Sequence, residues 1–540
     1  MAWATPIGMK ARTPPTGSSC SGIPRSGAVN PSTAADPSEP QALDHGPKLG
    51  LEMEMVTAHA QTGASQPVDG YFAALLRIKQ KRGIACAGQR SGSRDIGLQT
   101  PTADCGLDNG YNLLETALAP VRGGQGGLNR LAAQAFQELA DSLEALKADQ
   151  AVILNASQHP WCSRDAAWYR SVCVPRPIYR ELREYRGWHH WEGIDAKAQN
   201  GANTSVRVSQ AVRALNVAVA LAPASIALFA NSPLESGAHG GHKEHRMTLW
   251  PRVFGPARFA GDLRLCSYPE RPFAGLGDFF SWMFGPGTVT RGLPLDHSYD
   301  YKSVPVVLLD GDPCLQQFLR SERWPGRRLD TGQATWLTPQ ARHVEYSQIG
   351  QFLDARLRYR LDRLPPLEDL LRAWHSDGGL ESLFEACGAQ MYIEARAPGA
   401  GYADASLLQE GGPDAARSLL LAPSAVQLGL LNNLDEACSL VRDWGWEALG
   451  DLRQPSMKAG LDDDRVRALC AQVLAVARAG LDKDDAPWLA YADFALDSGR
   501  TSADRMLDTW NSARGAPQER LPALLPRHAA LHPDRYGAMP

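Results

Sequence analysis

Leu49-Gly50-Leu51-Glu52-Met53-Glu54-Met55 alternates apolar and acidic residues with a period of two. On a β-strand this spacing puts Glu52 and Glu54 on one face and Leu51, Met53 and Met55 on the other. Two carboxylates on one strand face repel each other unless a cation lies between them. Hard oxygen ligands of this kind suit Mg²⁺, an ion that also shares its coordination with substrate phosphates. The stretch therefore predicts a metal-nucleotide site built on a sheet.

Working outward, Tyr71 to Arg82 (YFAALLRIKQKR) has the apolar spacing of an amphipathic helix. In Gly106 to Glu115 (GLDNGYNLLE) the turn signal Asp108-Asn109-Gly110 precedes an alternating segment, so a second strand carrying Glu115 is expected beside the first. Gly123 to Gly127 opens a helical pattern from Leu128 to Asp149. A glycine-rich loop before a helix can cradle phosphate, but the spacing is not that of a dinucleotide loop and no strand runs directly into it, which favours a plain connection. Ala151 to Leu154 reads as a buried strand. The aromatic, Arg-rich stretch Trp168 to Trp191 reads as a helix packing amphipathic side chains on the core.

The later half is helical in character: Leu367 to Trp374, Ala415 to Leu421, Val426 to Leu431, Val466 to Leu481 and Trp488 to Leu496 are apolar at helical spacing, interrupted by strand-like pieces such as Met391 to Ala395. Strands early and helices late predict an α+β fold with helices packed on an antiparallel sheet.

Composition bounds the function. The 540 residues are 44% hydrophobic and 21% charged, with a net charge of −4, so neither nucleic acid nor an anionic membrane is an expected partner. Ten scattered cysteines without a CxxC pair fit reduced thiols and a cytoplasmic protein. Cys162 and Cys173 are near enough in sequence to pair, although nothing in the sequence shows that they do. The apolar run Ala211 to Ala230 is broken by Arg213, Asn216 and Pro223. It reads as a buried helix followed by a buried strand from Ser225 to Ala230 rather than a membrane span. Residues 1–45 are rich in Pro, Ser, Gly and Thr without apolar periodicity and read as a disordered tail.

Three further patches place polar side chains where a core would not want them. Ala198 to Ser205 (AQNGANTS) is a run of amides and hydroxyls, in which Ser205 caps the following helix or the amides bind a polar substrate. Gly237 to Trp250 carries His239, His242 and His245. Their spacing suits a transition metal, but the glycines around His239 favour a polar active-site loop. In Tyr392-Ile393-Glu394-Ala395-Arg396, Glu394 and Arg396 share a strand face, either as an ion pair or as a fork offered to a carboxylate or phosphate.

The order GLEMEM, NLLE, the amide run, ALFANSP with Arg246 and Trp250 beyond it, and YIEAR resembles the glutamate-cysteine ligase type 2 family, over roughly residues 48–515. The resemblance implies a mostly antiparallel, funnel-shaped sheet with helices outside, of the glutamine synthetase and guanido kinase kind. It implies a ligase unit at 46–515 between the tail at 1–45 and a C-terminal tail at 516–540. It also implies ATP and Mg²⁺ as cofactors, with phosphorylation of the γ-carboxylate of glutamate and attack by cysteine on the acyl phosphate, giving γ-glutamylcysteine.

Carried onto this chain, Glu52, Glu54 and Glu115 are the expected metal ligands. Arg246, Arg396 and Glu394 are the expected catalytic residues, and Gln199, Asn203, Trp250 and Arg246 are expected to bind substrate. Lys458 and Arg396 are expected near the nucleotide. Two other readings stay open: a ligase of this family using a different amine, and a noncatalytic relative that binds an amino acid or a protein.

Overall fold

The computed structural model describes residues 46–295 and 302–537; the segment 1–45 lies outside them. The first strand, β1 (Lys48–His59), contains the acidic stretch and is central to the molecule. It is followed by helix α1 (Tyr71–Lys81), the meander β2 (Ala87–Ser91), β3 (Arg94–Gln99), β4 (Ala103–Leu107) and β5 (Leu113–Leu118), then β6 (Val121–Arg122), helix α2 (Gly127–Ala145) and β7 (Ala151–Ile153). The amide run forms β8 (Asn200–Val206), and the sheet is completed by β9 (Ala355–Arg360) and β10 (Gln390–Ala395). The order is β9-β10-β8-β1-β5-β4-β3-β2, with β6 and β7 also pairing with β1, and every pairing is antiparallel.

Register assigns the two faces. Glu54 pairs with Glu115, Glu52 with Gly201, Gly50 with Asn203, Asn203 with Glu394, and Glu394 with Arg356. Directly opposed residues of an antiparallel pair share a face, so one side of the sheet carries these polar groups across five strands. The other side carries Leu49, Leu51, Met53 and Met55, all buried, against α2 and the helices that follow. Those are α3 (Ala211–Ala220), on β9 and β10, and α5 (Ala422–Asn432), on β8. Gln427 of α5 donates to the carbonyls of Ala202 and Ile393 and to Thr204 Oγ1 at 3.0 to 3.1 Å, fixing β8 and β10 to the helix layer.

Several expectations need correction. Ser225 to Ala230 is not a strand: α4 (Ala222–Leu228) follows α3 directly, because Pro223 falls in its first turn, where a missing N–H is no loss. Ser205 caps no helix; it lies in β8, and its hydroxyl accepts from the Lys48 N–H at 2.7 Å. The segment 168–191 is a series of short turns of helix rather than one helix. Residues 517–528, within the expected C-terminal tail, form a packed helix. After α6 (Ser502–Ser512), α7 (Pro517–His528) buries Leu521 and Leu524 with Ala58, Leu154 and Trp510.

The glycine loop before α2 holds no free anion cradle. The carboxylate of Asp485 accepts from the Leu128 N–H at 2.9 Å and occupies the helix N-terminus where a phosphate would sit. The nine cysteines among the described residues are free thiols. Among these residues no single helix is long and apolar enough to cross a membrane; the bent pair Val208–Ala220 and Ala222–Leu228 passes by composition only and is largely buried.

Candidate active site

The polar face of the sheet forms the floor of a cleft. Its lining includes six of the expected site residues: Glu52, Glu54, Glu115, Trp250, Glu394 and Arg396. Adjacent strands lie about 4.8 Å apart, so β1 and β10, which flank β8, are separated by about 10 Å. That spacing splits the cleft into an acidic pole on β1 and β5 and a basic pole on β9 and β10.

At the acidic pole, Glu54 and Glu115 face each other across the β1–β5 pair and Asp108 joins them from the turn after β4. Asn109 takes the left-handed conformation at φ 58° that this turn requires, and the turn sets Asp108 beside the sheet. Two lysines neutralise the cluster. Lys197 Nζ lies 3.3 Å from Glu54 Oε2 and 3.2 Å from Asp108 Oδ2; Lys302 Nζ lies 2.7 Å from Glu115 Oε2. The Gln199 N–H also donates to Glu54 at 3.0 Å. Burial pushes the Glu54 carboxyl up to about 7, reinforced by Asp108 and Glu115 and opposed by Lys197 and Arg396. Asp108 moves the other way: burial raises it, but Lys197 and Lys302 together hold it well below the usual carboxylate range.

At the basic pole, the buried Glu394 is ringed by three guanidiniums. Arg356 Nη1 lies at 3.1 Å, Arg358 Nε at 3.0 Å and Arg396 Nη1 at 3.0 Å. Burial alone would raise the Glu394 carboxyl, but Arg356, Arg358 and Arg396 outweigh it and keep the group ionised well below its ordinary range. Three guanidiniums thus surround one carboxylate at this end of the cleft. Trp250 stands between the poles, with Lys197 5.7 Å and Arg396 5.8 Å from its ring centroid.

The remaining expected residues do not line the cleft. Gln199 is engaged with Arg396, donating to its carbonyl at 3.2 Å and accepting from its Nη1 at 3.1 Å. Asn203 is buried on the polar face, and neither atom of its amide has a hydrogen-bond partner. Arg246 is buried as a strut: Nε donates to Glu244 at 2.8 Å, and its terminal nitrogens donate to the carbonyls of Arg396, Ala397 and Pro398. It shapes the chain beyond Arg396 instead of reaching into the cleft.

Lys458 is exposed at the end of the helix Arg453–Lys458. The histidine loop also lies outside the cleft lining. His245 Nε2 is 2.9 Å from Glu235, His242 packs edge-on against His245, and Gly240 accommodates the His245 ring where a Cβ would come within 2.4 Å of it. Among the described residues no set of three His, Cys, Asp or Glu side chains is grouped to hold a metal unaided.

Residues that sequence reasoning missed are Asp108, Lys197, Lys302, Arg356 and Arg358. The turn before Asn109 pointed to Asp108, and Arg356-Leu357-Arg358 repeats the period-two signal of the acidic stretch. Nothing local singles out the two lysines.

The antiparallel sheet thus presents an acidic cluster and an arginine-ringed glutamate at opposite ends of one cleft. Residues 48–266 match the family model Glutamate-cysteine ligase family 2, so that segment is ligase-like in sequence. A search of curated proteins finds no significant match. Among solved structures, glutamate–cysteine ligase (gshA) from Francisella tularensis in complex with AMP is similar at 12% identity and a TM-score of 0.44, over 89% of this chain and 88% of that one.

Proposed function

We propose that the cleft is the active site of an ATP-dependent carboxylate-amine ligase that joins the γ-carboxylate of glutamate to the amine of cysteine, the first step of glutathione biosynthesis, in the cytoplasm. The observation that carries this reading is the two-pole cleft, whose acidic end belongs to the segment matching the ligase family. The ligase unit is proposed to start at residue 46, and its sheet to be the wall of the funnel expected for the family.

The donor set fits Mg²⁺. Glu52, Glu54 and Glu115 are hard oxygen donors on one sheet face, and an ion that keeps part of its coordination for phosphates needs only one or two carboxylates from the protein. Bound there, Mg²⁺ supplies neutralisation of the nucleotide's phosphate charge.

In the first step a γ-carboxylate oxygen of glutamate attacks the terminal phosphorus of ATP, and the bond to the ADP oxygen breaks. In the second the acceptor nitrogen attacks the acyl carbon, phosphate leaves, and the nitrogen loses a proton. The guanidiniums of Arg356, Arg358 and Arg396 hold an anionic end of the donor so that the reacting carboxylate is presented to the phosphates. Lys197 and Lys302, already among the acids, are within the same pole to meet phosphoryl oxygens.

The experiment is ADP release from purified protein with Mg²⁺-ATP and glutamate as a panel of amines is added. Turnover with cysteine supports the reading, turnover with another amine alone changes the acceptor, and silence with every amine would favour a noncatalytic binding protein.

A further inference from the structure

A third wall of the cleft is used by neither pole. Ile178, Leu182, Trp188 and Ile194 line it, together with Tyr179, whose hydroxyl is 3.2 Å from Asp108. The remaining polar group of this wall is His190. Its ring is fully buried and boxed by Tyr169, Tyr179 and Trp188 at centroid separations of 5.8, 6.1 and 6.3 Å. Nδ1 lies 3.0 Å from the Tyr169 hydroxyl, while Nε2 has no hydrogen-bond partner among the described residues.

A buried imidazole nitrogen left unpaired is destabilising. Three aromatic rings and a tyrosine hydroxyl nevertheless hold this one in a wall of the cleft. Burial, helped by the charge of Arg183, pushes the imidazole down to about 3, so the ring is neutral at physiological pH. A neutral imidazole whose Nδ1 is engaged by Tyr169 offers one group at Nε2, a donor or an acceptor according to the direction of the tyrosine hydrogen bond.

We propose that His190, oriented by Tyr169, is a specificity-determining residue that reads the side chain of the acceptor amine through its unpartnered Nε2. The inference rests on the ligase reading. A thiol or hydroxyl can both donate and accept, so it satisfies Nε2 in either tautomer. A carboxylate or an ammonium would bring a charge against Ile178, Leu182, Trp188 and Ile194, where desolvation is costly.

The test is calorimetric binding of L-cysteine, L-serine, L-2-aminobutyrate, L-lysine and L-aspartate to the full chain held in saturating L-glutamate, with ADP release followed on parallel samples containing Mg²⁺-ATP. Cysteine or serine should bind at least about tenfold more tightly than lysine or aspartate. His190→Phe, which keeps an aromatic ring, should weaken the tighter of the two about tenfold and leave 2-aminobutyrate, which lacks the hydrogen-bonding atom, unchanged. Tyr169→Phe should give a smaller loss with the same selectivity.

Lysine or aspartate binding as tightly, no binding of any of the five, equal effects on all, or no effect in either variant would overturn the proposal. Preserved selectivity without ADP release would uphold the role of His190 and sink the ligase reading. ADP release that does not depend on the acceptor side chain would do the reverse.

Discussion

Lys197 places its ammonium 3.3 Å from the Glu54 carboxylate, in the interior of the sheet's acidic pole. The same ammonium is 3.2 Å from Asp108, so a protein cation already stands among the acids where the alternating stretch demanded one. Removing it by Lys197→Met leaves the buried Glu54 and the half-buried Asp108 without a shared counter-charge. Breaking such a pair costs on the order of 3–5 kcal/mol. The urea midpoint should fall accordingly, and millimolar Mg²⁺ should recover more stability in the variant than in the parent protein. An equal Mg²⁺ effect on both would count against a cation site at this pole.

Glu54 links stability to pH. Its folded-state carboxyl titrates at about 7, against an ordinary value near 4.5. Between these values the folded chain holds more protons than the unfolded one, so this residue's contribution falls as pH rises from about 4.5 to about 7 and is flat above. The full shift corresponds to about 3 kcal/mol. Denaturation at pH 5 and pH 8 should therefore differ less in Glu54→Gln than in the parent. An identical pH dependence in the two proteins would refute the buried, raised carboxyl.

Arg246 tests the difference between a strut and a substrate contact. Arg246→Lys cannot reproduce the contacts to Glu244 and to the carbonyls of residues 396–398. A stability loss of about 3 kcal/mol is expected from these charged hydrogen bonds. An unchanged melting temperature with a selective rise in KM for glutamate would return Arg246 to the substrate.

Asp485→Ala should cost about 1 kcal/mol through the N-terminus of α2, as loss of a capping carboxylate does. The affinity for ATP should not change, because that helix end already holds a carboxylate. A selective loss of ATP affinity would restore the glycine loop as a phosphate site.

Local periodicity made the sheet legible. The acidic stretch, Glu115 and the Glu394–Arg396 pair were readable because a period of two fixes a face without knowledge of the neighbours. Their meeting in one cleft follows from the register of β1 with β5 and β8, and of β8 with β10. Lys197 and Lys302 were not readable, since each finds its carboxylates 89 or more residues away, and no local pattern encodes such a pairing. Arg246 shows the opposite failure. An arginine beside a polar loop resembles a substrate clamp in sequence, yet backbone carbonyls contributed by residues 396–398 hold its guanidinium in place. Pro223 misled in a third way, because a proline in a first turn starts a helix as readily as a proline elsewhere stops one.

The proposed ligase activates glutamate in this cleft by transfer of a phosphoryl group to its γ-carboxylate. The most direct measurement uses glutamate labelled with ¹⁸O in that carboxylate, together with Mg²⁺-ATP and the acceptor amine, and determines the isotope content of the phosphate released. One labelled oxygen per phosphate is predicted, carried over when the acyl carbon is attacked. Amide formation accompanied by unlabelled phosphate would contradict the account.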